Sequence, residues 1–168
     1  MGMMATGKSS VGRCLAERLG VPLLDSDDWI ERRTGRTVRR IWEADGVDAF
    51  RALEARALEE ALAAPGPAVV AAAGGTVLSA ANRQLLRAHS PVVWLRAEPA
   101  TIVARLLDKD ERGKGGHRPL LGDDPAATVP GLDAERRPLY AEVADAVVDV
   151  DGLSHDEVCT RVAAAVGS

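Results

Sequence analysis

Gly2, Gly7, Lys8 and Ser9 stand in the spacing Gly-x-x-x-x-Gly-Lys-Ser, an arrangement suited to holding phosphate. A glycine at each end lets the backbone turn tightly enough for successive N–H groups to converge on phosphate oxygens. Gly2, Ala5, Thr6, Gly7, Lys8, Ser9 and Ser10 are therefore candidate nucleotide contacts. Lys8 is long enough to reach the outer phosphates, and the Ser9 hydroxyl can serve a Mg²⁺ ion. The helix expected to begin here adds its unpaired N–H groups and its dipole to the same anion. Phosphoryl transfer suits such a loop, because its catalysis is mainly positioning and charge stabilisation.

Transfer requires an acceptor, and further residues could serve one. Asp25 and Asp27, in Asp25-Ser26-Asp27, fall on the same side of an extended chain. One carboxylate can hold metal-bound water while the other orients a hydroxyl and receives its proton; the rival reading is an acidic turn that caps a helix. Arg51 and Glu54 are three apart on a helix and share a face. They read equally well as a carboxylate grip with its support and as an ordinary surface ion pair. Gly74 and Gly75 follow an apolar run and admit either a ligand close to the backbone or a turn. Arg118 and Arg136, in RPLL and RRPLY, could each neutralise phosphate or substrate charge.

The elements around these residues alternate. Apolar runs at 21–27, 68–75, 91–95 and 145–150 predict four strands. Helical spacing predicts helices over 8–19, 28–33, 38–44, 48–63, 79–88, 99–107 and 133–144, and a last one opened by a Ser154/Glu157 capping box and ending near Val166. Helices at crossover length between strands mean an α/β fold with a parallel sheet. Residues 108–124 combine charge with glycine and read as a mobile lid over a site, and the stretch after it, DDPAATVPG, as poorly structured. The strand that normally precedes a phosphate loop has no room before Gly2. We expect either that residues upstream of Met1 supply it or that an irregular substitute fills its place.

A chain of 168 residues suffices for one domain with its own core. Its 21 basic and 25 acidic residues balance to a charge of −4, which disfavours a nucleic-acid partner, as does the aromatic content of 3%. No apolar run reaches bilayer length and no signal-peptide pattern opens the chain, so a membrane partner is not expected either. Cys14 and Cys159 belong to no metal or redox spacing, read as separate buried or half-buried side chains in helices, and make the cytoplasm the natural compartment.

Taken in order, GMMATGKSSVGRCLAERLG, LLDSDDWIERRTGRTV, IWEADGVDAFRALE, the AGG stretch, RPLL and RRPLY resemble shikimate kinase over nearly the whole chain. The resemblance implies a P-loop fold like that of nucleoside monophosphate kinases, with a five-stranded parallel sheet in order 2-3-1-4-5 whose central first strand is missing or truncated here. It also implies transfer of the ATP γ-phosphoryl group to the 3-hydroxyl of shikimate in chorismate and aromatic amino-acid biosynthesis, by a single cytoplasmic domain that is a monomer. Residues 28–63 become the acceptor-binding region. By the same likeness Lys8 and Arg118 contact the transferring phosphate, Ser9 and Asp25 serve the metal, and Asp27 is the base. Arg51 and Arg136 bracket the carboxylate, Glu54 supports Arg51, Gly74 and Gly75 touch the ring, and Arg112 lies on the adenine side. Three positions depart from the family's pattern. Ala5 and Ala73 replace glycines, and Val47 replaces a glutamate; Ala5 is tolerable with a negative φ. A related kinase for gluconate or a cyclitol, and a catalytically weak nucleotide-binding regulator, are the competing functions.

Overall fold

The computed structural model describes residues 1–89, 91–111, 121 and 124–167. Helix α1, Lys8–Leu19, follows the phosphate loop directly and stops at Gly20, a left-handed cap whose N–H reaches back to the carbonyls of Ala16 and Glu17. Val11 and Leu15, one turn apart, bury its inner face. Strand β1, Leu23–Asp25, runs into α2, Ser26–Thr34, which the Asp25 side chain caps. Helix α3 spans Val38–Leu62 with a break at Gly46, so the two predicted helices on either side of that residue are one interrupted element.

Strand β2, Val69–Ala71, leads through a short 3₁₀ turn, Thr76–Leu78, into α4, Ala80–Ala88. Strand β3, Val93–Arg96, then α5, Pro99–Glu111, precede the lid stretch, most of which lies outside the described residues. Helix α6, Pro125–Val143, begins eight residues earlier than its predicted start at 133. The segment read as unstructured is helical because Asp124 caps it through Ala126 and Ala127 and Pro125 occupies the first turn, where its missing N–H costs nothing. Strand β4, Ala146–Asp149, and α7, His155–Ala165, complete the chain, with the predicted capping box formed.

All four strands pair in parallel, but in two separate halves: β1 with β2, and β3 with β4. Between β2 and β3 the described residues contain no strand. Met1 alone takes up ladder geometry there, its α-amino group donating to the Val93 carbonyl at 2.9 Å and its own carbonyl accepting from the Leu95 N–H at 2.9 Å. Met1 thereby fixes the start of the loop to β3 only. The rest of the slot is open on both faces. A cavity of about 310 Å³ lies under α1 and α7, lined by Val11, Leu15, Val69, Val93 and Val162. Another of about 480 Å³ lies against α3 and α4, beside Leu62, Val70, Leu86 and Val92.

The main core joins α1, α4, α5, α6 and α7 to the strands through residues such as Trp94, Ile102, Leu106 and Tyr140. A smaller core of Ile30, Ile41, Phe50 and Ala57 ties α2 to α3. The cysteines are helical as expected but not separate: Cys14 of α1 and Cys159 of α7 form a disulfide, with Cα atoms 6.3 Å apart. Nothing in their spacing signals this, since 145 positions separate them and only the packing of α7 on α1 brings them together.

Candidate active site

The phosphate loop is held at both ends. Gly2 passes so close to β3 that a Cβ there would sit 2.3 Å from the Leu95 carbonyl oxygen, so no other residue fits. Thr6 Oγ1 donates to the Met3 carbonyl at 2.8 Å, and Lys8 Nζ to the same carbonyl at 3.0 Å, curling the loop over the start of α1. Gly7 brings no side-chain cap to that helix, and its first turn carries no acidic residue. The end of α1 thus presents N–H groups and positive dipole with no carboxylate of its own turn to neutralise them. Lys8, Ser9 and Ser10 line a pocket of about 240 Å³ there, together with Ala5, Gly7, Asp25, Asp27 and Ala73.

Ala5 departs from expectation. Its φ is +58°, the left-handed region, where it is the one residue other than glycine among those described. A methyl group in that region costs about 1–2 kcal/mol, so the loop takes its shape against local preference. Arg105 of α5 donates to the Ala5 carbonyl at 3.2 Å and to the Val150 carbonyl at 3.0 Å.

Asp25 and Asp27 border the phosphate pocket together, though not by strand alternation. Strand β1 ends at Asp25, and Asp27 lies in the first turn of α2. Asp25 is buried and accepts from the Asp27 N–H at 3.0 Å, so the helix-capping reading is also correct; the cap itself aims the second carboxylate. The Asp27 carboxyl is held above the ordinary range, first by its confinement in the cleft, then by the Asp25 charge, with Lys8 opposing. The side chain still meets solvent at the open mouth, and water there tempers the effect. Among the described residues no cluster of three or more His, Cys, Asp or Glu could hold a metal alone. The pocket's donors, a serine hydroxyl and one buried carboxylate, fit a Mg²⁺ ion that keeps waters and takes its remaining oxygens from phosphate.

Farther along the cleft Arg51 pairs with Glu54, and this is no surface pair: their side chains are 22% and 3% exposed. Burial lifts the Glu54 carboxyl above its usual range against the pull of Arg51, and Asp27 and Arg136 also lie within its electrostatic reach. The Arg51 guanidinium occupies the space a side chain at Gly75 would need, 1.6 Å from where a Cβ would stand. Arg136 comes from the face of α6 that carries Val129, Asp133, Tyr140 and Val143. It is 2% exposed, and its Nε finds no hydrogen-bond partner among the described residues.

Arg112 and Arg118 lie outside the described residues. Ala73 is buried at the pocket's edge, whereas Val47 is exposed, so that departure does not touch the site. Two residues escaped the sequence reading. Tyr140 is fully buried, donates to the Gly74 carbonyl at 2.7 Å and stacks on Trp94. Its position one helical turn after Arg136 was the available signal. Arg105 carried none, being one arginine among many.

The family model for shikimate kinase matches residues 4–166. The chain belongs to the shikimate kinase family. This kinase is 43% identical to the shikimate kinase of Symbiobacterium thermophilum over 164 residues, covering 96% of its own length and 91% of that relative's. It is 42% identical to the one from Thermobifida fusca, covering 97% and 90%. Among solved structures, shikimate kinase from Acinetobacter baumannii in complex with shikimate superposes with a TM-score of 0.83 at 33% identity, over 96% of this chain and 87% of that one. The Aquifex aeolicus enzyme gives 0.79 at 26% identity, over 98% and 92%. The kinase's reaction is the ATP-dependent phosphorylation of shikimate to shikimate 3-phosphate in the shikimate pathway, and its family uses ATP with Mg²⁺.

Proposed function

We propose that the kinase performs this transfer with Asp27 as the base. The acceptor hydroxyl gives its proton to the Asp27 carboxylate, its oxygen forms the new bond to the γ-phosphorus, and the bond from that phosphorus to the β-phosphate oxygen breaks, leaving ADP. Lys8 and the N–H groups of the loop from Gly2 to Ser10 hold the phosphates, and Arg118 joins them from the lid at 108–124, with Arg112 toward the adenine. Ser9 and Asp25 would hold Mg²⁺, which when bound neutralises charge between the outer phosphates. Arg51 and Arg136 bracket the shikimate carboxylate, Glu54 fixes Arg51, and the Gly74–Gly75 backbone faces the ring. Residues 28–63 form the acceptor-binding region of a single domain.

The observation that carries this assignment is the buried Arg136 with its unpaired Nε, held near the Arg51–Glu54 pair and Asp27. A buried guanidinium costs free energy unless an anion answers it, and a carboxylated polyol supplies one in matching fork geometry. Among the described residues no helix is long and apolar enough to cross a membrane. We read the kinase as a cytoplasmic monomer with ATP and shikimate, and neither nucleic acid nor membrane, as its partners. The pathway carries the cytoplasmic part of that reading, since the Cys14–Cys159 bond removes the argument from unpaired cysteines.

Turnover measured with ATP and Mg²⁺ against shikimate, gluconate and a cyclitol tests the reading. Shikimate should exceed the uncharged cyclitol in kcat/KM by about a hundredfold or more, on the order of 3 kcal/mol for the lost charge partner, and should exceed gluconate, which also carries a carboxylate, through the fit of its ring. Equal use of another polyol would overturn the acceptor assignment. ATP binding without transfer to any of them would favour the regulatory alternative.

A further inference from the structure

We propose that Arg105 is a positioning residue for the phosphate loop, and that its hydrogen bond to the Ala5 carbonyl is what holds a left-handed alanine where the nucleotide needs it. Two observations meet at one peptide group. Ala5 is the residue with φ of +58°, and its carbonyl is the one that Arg105 grips at 3.2 Å. A trans peptide is planar and points its C=O and N–H in opposite directions. Fixing the Ala5 oxygen against α5 therefore holds the Thr6 N–H pointing away from α5, and with it the backbone leading into Gly7 and Lys8, which line the phosphate pocket.

The other contacts leave Arg105 little freedom to do anything else. Its second donor is anchored at 3.0 Å on the Val150 carbonyl, just past the end of β4, so the guanidinium spans two backbone segments as a fixed strut. Thr6 Oγ1 and Lys8 Nζ both bond the Met3 carbonyl and brace the loop on its other limb. Both of those bonds end on Met3. With glycine at position 5 the same backbone angles would carry no side-chain penalty, and the grip would matter less. Arginine suits the task because its planar fork holds two carbonyls at once, which a lysine cannot do with comparable geometry.

The inference rests on reading residues 2–10 as the nucleotide phosphate site, and the test separates the two. ADP affinity, the KM values for ATP and shikimate, and thermal melting are measured for the chain, Arg105→Met, Arg105→Lys, Ala5→Gly and the double variant Ala5→Gly/Arg105→Met. Arg105→Met should weaken ADP binding and raise the KM for ATP about tenfold while the KM for shikimate stays within about twofold. Arg105→Lys should fall between. Ala5→Gly should recover most of the nucleotide affinity in the Arg105→Met background, although the lost tie to Val150 still lowers the melting temperature. That recovery is the signature a merely structural arginine would not give. ADP binding unchanged in Arg105→Met, equal rises in both KM values, or no recovery in the double variant would each overturn the role of Arg105. Failure of the unaltered chain to bind ADP would instead overturn the phosphate-site reading, and the inference with it.

Discussion

Asp27→Asn keeps the shape of the side chain and removes the carboxylate proposed to take the acceptor proton. Turnover should fall by roughly 10²–10⁴, the range for loss of a general base, with ADP affinity little changed if Asp27 serves the acceptor as proposed. Stopped assays and calorimetric ADP titration check this, and turnover matching the unaltered chain would remove Asp27 from the base role. The pH profile carries the sign of its environment. Because the carboxyl is held above the usual range, it takes up its proton earlier as pH falls, and the acid limb of kcat/KM should lie above that of an ordinary aspartate. Much at this scale was legible. The Gly-Lys-Ser spacing and the two aspartates meet at one pocket, the aspartates through a strand-to-helix turn rather than strand alternation, and Arg51 pairs with Glu54 one helical turn away, a spacing that left open whether the pair was buried. The angle at Ala5 was not, since the same residue type is compatible with either sign of φ and the deciding contact comes from 100 positions away.

Elements with their own punctuation read correctly. Helix α1 runs over the predicted 8–19, and α7 opens on the predicted capping box, because those signals are local and need no tertiary partner. Ser154 accepts from the Glu157 N–H while the Glu157 carboxylate accepts from Ser154. Ser154→Ala should therefore lower stability by about 1 kcal/mol, seen as a drop of roughly 2–4 °C in melting temperature for a chain of this size. The KM for ATP should not move, since α7 supplies no residue to the phosphate pocket. Helix α6 misread because Pro125, Pro130 and Gly131 look like breakers. The Asp124 cap puts Pro125 in the first turn, where it is tolerated, whereas the helix continues past Pro130 and Gly131 in its interior, giving up the backbone hydrogen bond that Pro130 cannot donate.

The sheet is where whole-molecule order escapes a local reading. Strand positions follow from apolar runs, yet whether four strands form one sheet or two depends on what lies between β2 and β3. Met1 pairs with β3 alone, and burial, with Lys8 adding to it, lowers the pKa of its α-amino group from 8.0 to about 5. The unfolded chain binds a proton there that the folded chain refuses until pH 5, so stability should rise between pH 5 and 8. The contribution is on the order of 4 kcal/mol at most. Joining a short apolar segment ahead of Met1 turns the amine into a peptide and should flatten this rise. Melting curves across that range on both versions isolate the amine, because Asp27 and Glu54 titrate in each.

The Cys14–Cys159 bond closes nearly the whole chain into a covalent ring, leaving only short ends outside it. In the chain-entropy account a ring of that size contributes on the order of 5 kcal/mol. It also changes what a break in the backbone means. A protease that cuts the exposed loop at 63–67, between α3 and β2, opens the ring without releasing either part. The nicked protein should migrate as one band on a denaturing gel without thiol and as two after reduction. The fragment with the phosphate loop, Asp27 and Arg51 and the fragment with Arg136 would stay leashed together and able to reassemble as a unimolecular event.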